Sequence, residues 1–107
     1  MKIRVSRLDA EFAKAIKERD GWACRLCGRS KEAGYAMHCA HVFTRRARST
    51  RWDPQNAFTL CFVCHRFAHE WPLLFHMNVR EWLGDAVYEA LADRARRVNL
   101  RNPKVEV

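Results

Sequence analysis

A chain of 107 residues predicts a single domain, and 49% apolar residues is the share of a globular protein rather than a disordered one. Twenty lysines and arginines against twelve aspartates and glutamates give a net charge of +8. Four thiolates around one zinc ion would lower that by only about two, so an anionic partner is favoured. The charged start, Met1-Lys2-Ile3-Arg4-Val5-Ser6-Arg7, lacks the apolar run of a signal peptide and no stretch suits a membrane span, which predicts a cytoplasmic protein.

Ser6 followed by Asp9, with Leu8, Phe12 and Ile16 at helical spacing, predicts a capped helix over 7–19 that Asp20-Gly21 ends. Trp22 leads into Cys24-Arg-Leu-Cys27, and Gly28 supplies the left-handed backbone that such a turn needs. After a polar loop over 29–34, residues 35–43 read as a strand. Tyr35, Met37, Cys39, His41 and Phe43 fall on one face, and Ala36, His38, Ala40 and Val42 on the other.

Residues 44–55 are basic and irregular, with Asp53-Pro54 as a turn signal, and a second strand is expected over 57–60. Cys61-Phe-Val-Cys64 opens a short helix over 62–70 that Trp71-Pro72 should stop. Asn78 reads as the cap of a turn running to Leu83, and Gly84-Asp85 interrupts before a longer helix over 86–98, apolar at Val87, Leu91, Ala95 and Val98. The expected fold class is therefore α+β: an N-terminal helix over 7–19, a core over about 20–72, and a helical arm over about 78–98 packed against the zinc module. Trp22, Trp52, Phe58, Phe62, Phe67, Trp71 and Trp82 are read as core aromatics.

The two C-x-x-C pairs, Cys24 with Cys27 and Cys61 with Cys64, match what a tetrahedral ion requires, because each pair bends a tight turn around one edge of the tetrahedron. In a reducing compartment this arrangement favours a structural Zn2+ over disulfides. His65, next to Cys64, is the alternative fourth ligand. Cys39 has no partner and reads as packing, and His76 as a surface residue.

Arg45, Arg46, Arg48 and Arg51 cluster between the half-sites, where guanidinium forks suit phosphate oxygens. A second group, Arg94, Arg96, Arg97 and Arg101, fits phosphate contact or a merely solvated basic face. His65 and His69, four apart on a predicted helix, project from one face and can bind one cation.

With Cys24, Cys27, His41, Asn56, Leu60-Cys61, Cys64-His65 and His69 at these spacings, the chain resembles the HNH endonucleases, the ββα-metal nucleases. The histidine and asparagine spacing resembles that of colicin-type nucleases. The Cys39-Ala40-His41 triplet, Arg45-Arg46 and Thr50-Arg51-Trp52-Asp53-Pro54 are similar to small zinc-knot HNH proteins of phages and prophages, some of them recombination-associated.

The resemblance implies a two-stranded ribbon and a helix wrapped around one divalent cation, and metal-dependent hydrolysis of DNA phosphodiester bonds to 5′ phosphate and 3′ hydroxyl ends. It assigns His41 as general base, with Asn56 offering a carbonyl oxygen to orient its ring. His65 and His69 would hold the catalytic cation, Mg2+, Mn2+, Ni2+ or Zn2+, and Arg45, then Arg46 or Arg51, the phosphate. One position departs from the pattern: family members place His or Asp before the general base, and here Ala40 cannot bind metal. Water is the expected replacement, since His38 lies about 6 to 7 Å back along the strand. Two further readings follow from that departure, a catalytically inactive zinc-dependent DNA-binding module and an accessory factor docking on a phage recombination or packaging protein.

Overall fold

The computed structural model describes residues 6–100, with side chains through Arg97. The expectations placed on Met1–Val5, on the side chain of Val98 and on Arg101 lie outside the described residues. Among those described, four helices surround a two-stranded antiparallel sheet in an α+β arrangement.

Helix α1, Arg7–Arg19, starts at a complete capping box in which Ser6 Oγ accepts from the Asp9 N–H and the Asp9 carboxylate accepts from the Ser6 N–H. Its C-terminal end docks on the second strand. Asp20 accepts from the Thr59 N–H at 2.9 Å, Thr59 Oγ1 donates to the Ile16 carbonyl, and Arg19 donates to the carbonyls of Pro54 and Ala57.

Strand β1, Met37–His41, pairs antiparallel with β2, Ala57–Cys61, in a register that sets Ala40 opposite Phe58 and His41 opposite Ala57. The predicted strand over 35–43 is thus trimmed at both ends. Beyond His41 the chain leaves the ladder because Asn56 captures it: the Val42 N–H donates to the Asn56 carbonyl and the Phe43 N–H to Asn56 Oδ1. Residues 42–56 form the connection, with single 3-10 turns at Arg48–Thr50 and Pro54–Asn56.

Helix α2, Phe62–Glu70, follows β2 directly, and α3 spans Pro72–Leu83. This corrects the expectation of a turn capped by Asn78. Proline stops a preceding helix but is pre-organised for the first turn of the next, and Trp71, outside helical backbone at φ −130° and ψ 65°, separates the two. Asn78 sits mid-helix and donates to the Leu74 carbonyl. Helix α4, Asp85–Leu100, begins after Gly84, whose φ of 87° lets the chain reverse.

Met37, Ala40, Val42, Phe58, Leu60, Ala68, Phe75 and Val79 make the core, with Leu91 and Ala95 of α4 also buried. Helix α4 rests on α3 and on the 48–56 connection rather than on the cysteine module. Ser49 Oγ donates to the Arg94 carbonyl, and Arg94 donates to Asp53 and Gln55. The aromatic expectation needs a second correction, since Phe58 is buried but Phe62 and Trp71 are more than half exposed and Trp52 is exposed as well. Phe62 opens α2, with its ring 6.0 Å from that of His38 between centroids, and Trp71 follows the helix's last residue.

Candidate metal centre and histidine cleft

The first cysteine turn is built by backbone hydrogen bonds: the Cys24 N–H donates to the Arg29 carbonyl, and the Gly28 N–H to the Cys24 carbonyl. Gly28 adopts φ 79°, as the tight turn requires. The second turn is the β2–α2 junction, where Cys61 caps the helix and Cys64 occupies its first turn. Antiparallel pairing and the Arg25 N–H bond to the Thr59 carbonyl bring the turns together.

All four sulfurs lie within 4.8 Å of one another, and those of Cys27 and Cys61 are 3.7 Å apart. A tetrahedral ion with Zn–S bonds of about 2.3 Å has S···S edges of about 3.8 Å. The quartet can therefore hold a metal ion such as zinc. Burial, reinforced by neighbouring thiols, raises the Cys64 pKa, and burial also raises that of Cys27. Sulfurs this crowded resist ionising together, a penalty that a dication removes. His65 is not needed in the quartet, because Cys64 completes it.

The second feature is a cleft of about 780 Å³ between α1, β1 and the α2–α3 pair. Its walls include His38, His41, His65, His69 and His76, which are all the histidines of the chain. Arg45 and Arg46 line the same cleft. Five imidazoles from two strand positions and two helices converge there because β1 packs on α2 and α2 on α3.

His65 and His69 meet Nε2 to Nε2 at 3.2 Å. Two imidazole nitrogens bound to a common ion at about 2.0–2.1 Å would lie about 3.3 Å apart, so the pair is spaced for one cation. Burial first, then the charges of His69, His38 and His41, push the His65 pKa down to about 4, so its lone pair is available at neutral pH. Ala40 is 1% exposed and packed in the core opposite Phe58, with no donor to offer. The His38 ring, however, lies 5.0 Å from that of His65 between centroids. Among the described residues only the thiolates form a set of three or more donors within 4.8 Å.

His41 is oriented differently from the expectation. Its Nε2 lies 2.9 Å from the Arg51 carbonyl, which can only accept, so Nε2 carries the proton and Nδ1 is the acceptor. Asn56 is committed elsewhere: Oδ1 accepts from the Phe43 N–H at 2.7 Å, and Nδ2 donates to the carbonyls of Phe43 and Thr50. It acts one peptide away from the oxygen that His41 uses. Burial, the largest cause, holds the His41 pKa below its ordinary value, with Arg45 adding to burial while the Arg51 carbonyl and Asp9 oppose it.

The arginines divide between the cleft and the scaffold. Arg51 turns inward to Asp9, with Nη2 to Oδ2 at 2.5 Å, and is not presented to a phosphate. Arg45 remains in the cleft, 3.7 Å from the same carboxylate. Arg94 pairs with Asp53, and Arg96 and Arg97 with Asp93, which fits a scaffold and solvated role for the C-terminal group. Two cleft positions escaped the sequence reading. His76 is half-buried, with Nε2 donating to the Val42 carbonyl and Nδ1 accepting from Tyr88 Oη. Asp9 read only as a helix cap, and nothing in its local sequence marks its partners 42 residues away.

Comparison with protein-family models, with curated proteins and with solved structures returns no match for this chain.

Proposed function

We propose that the chain is a metal-dependent DNA endonuclease of the HNH type, a zinc-stapled ββα-metal domain working in a reducing cytoplasm where its thiols stay free to bind metal. The observation that carries this reading is a neutral imidazole with its Nε2 tied to a backbone carbonyl, lining the cleft in which two helical imidazole nitrogens stand 3.2 Å apart. A base needs one fixed donor nitrogen and one free acceptor nitrogen, and His41 has that arrangement.

In the proposed mechanism His41 Nδ1 accepts a proton from water, and the Arg51 carbonyl stabilises the imidazolium through the Nε2–H. His65 and His69 would hold the cation, with His38 as a further nitrogen donor in ring contact where Ala40 has none. When bound, the ion supplies charge neutralisation at the phosphoryl oxygens and at the departing 3′ oxygen. Arg45 holds the phosphate as its charge builds. Asn56 is assigned a positioning role, fixing the turn that carries the Arg51 carbonyl.

The test is conversion of supercoiled plasmid to nicked circles with magnesium, manganese or nickel. His41→Ala should lower the rate by at least about 100-fold, the usual size of a general-base contribution. Nicking that survives this substitution, or that proceeds in excess chelator, defeats the proposal. A second reading is favoured by the buried methyl of Ala40 and by the thiolate quartet being the sole many-donor cluster among the described residues. It is a catalytically silent DNA-binding module or an accessory subunit of a recombination or packaging complex. Tight DNA binding, or a defined protein complex, without nicking at any metal tested would select it.

A further inference from the structure

The Arg51 carbonyl that accepts the hydrogen bond from His41 Nε2 belongs to a turn that Asn56 holds from the inside, through the Thr50 carbonyl. Asp9 of α1 holds the same turn from the other side, through its side chains. Its Oδ1 accepts from Arg51 Nε at 2.9 Å and from Trp52 Nε1 at 3.0 Å, and its Oδ2 accepts from Arg51 Nη2 at 2.5 Å. Two consecutive side chains of the turn are thus gripped by one carboxylate. The carboxylate is itself held by the capping box, through the Ser6 N–H at 2.8 Å and Ser6 Oγ at 3.1 Å. It is 7% exposed, lines the histidine cleft and lies 3.7 Å from Arg45.

From this geometry we infer that Asp9 is a second positioning residue for His41, beside Asn56, acting through Arg51 and Trp52 to fix the carbonyl that selects the imidazole tautomer. The inference rests on the nuclease reading for its catalytic meaning, but the tautomer it concerns is a property of the protein alone. Asp9 never touches the reacting atoms in this role. It keeps the Arg51 peptide oriented, and with it the direction in which Nδ1 faces. Because the same carboxylate is near Arg45, it also keeps that guanidinium on the cleft side of α1. A bidentate carboxylate–guanidinium pair is geometrically selective, so an uncharged isostere should not replace it: the amide of asparagine would point a donor at a donor.

The experiment compares wild type, Asp9→Asn and Ser6→Ala by nitrogen-15 spectra of the histidine side chains and by nicking kinetics. In wild type the His41 ring should appear as the single Nε2–H tautomer. Asp9→Asn should show a tautomer mixture, with kcat lower by about 10- to 100-fold and KM for DNA within about twofold, as expected when a base is misplaced rather than removed. Ser6→Ala weakens the helix start but keeps the pair with Arg51, and should leave the tautomer unchanged. Should Asp9→Asn fail to fold, Arg51→Met breaks the same link from the other side and is read in the same spectrum. An unaltered Nε2–H tautomer in Asp9→Asn, or in Arg51→Met where that variant stands in, overturns the inference whatever happens to activity. Absence of nicking in wild type together with the tautomer change defeats the nuclease reading and leaves the positioning role standing.

Discussion

Asn56 satisfies three backbone groups from a side chain with no solvent exposure: the N–H and the carbonyl of Phe43, and the carbonyl of Thr50. Each buried polar group left without a partner costs about 1–3 kcal/mol. Asn56→Ala should therefore destabilise the fold by several such increments, seen as a lower urea midpoint with little change in slope. Asn56→Asp should be worse, since it aims a carboxylate at two carbonyls. Both should lower nicking as well, because the Thr50 carbonyl precedes the peptide that holds His41. Full activity in a folded Asn56→Ala variant would exclude this coupling. The residue type was legible in the sequence at position 56, but its partner was not. Spacing shows which side chains are polar and close in sequence, whereas the choice between the His41 ring and the Phe43 backbone is made by how β1 ends.

At the scale of elements, the cysteine module welds two pieces of backbone that contribute little on their own. Strands β1 and β2 are five residues each, and a two-stranded hairpin is marginal in water. Structural zinc sites supply apparent binding energies of about 10–16 kcal/mol, comparable with the whole stability of a small domain. Cys61→Ser, or strong chelation, is expected to abolish the cooperative thermal transition, and zinc should restore it after chelation. A chelated protein that melts cooperatively at its original temperature would show that the quartet is not a metal site. The helices α1 and α2 were readable because caps and period act locally. Helix α3 was missed because Pro72 carries two opposite signals, and only the non-helical backbone of Trp71 before it decides between them.

Across the whole molecule, charge is unevenly used. Arg51 and Arg94 are spent on buried or half-buried carboxylates, while Arg45 and Arg46 line the histidine cleft. If DNA follows that cleft with about three or four phosphate contacts, binding should weaken about 100-fold between roughly 50 and 200 mM salt. Binding that is flat across this range would remove the backbone-contact proposal. Acid should act in two windows, both of the same sign. His65, lowered by burial to about 4, favours the folded state fully above its unfolded value near 6.5 and loses that contribution as pH falls from there to about 4. Asp9, held well below the carboxylate range chiefly by Arg51, contributes fully above about pH 4 and loses its share below it. Melting temperature against pH should show both declines, with Asp9→Asn flattening only the lower one.

The sequence by itself determined the elements and the donor set: a capped first helix, two cysteine turns at tetrahedral spacing, and paired histidines one helical turn apart. Those features depend on neighbours within a few residues, so local stereochemistry is enough to read them. Tertiary structure alone decided that all five histidines share one cleft, that the partner of His41 is a backbone oxygen, and that Asp9 binds a turn 42 residues away. Those outcomes depend on where β1 leaves the ladder and on how α1 docks against β2, packing choices among long-range contacts that residue spacing does not encode.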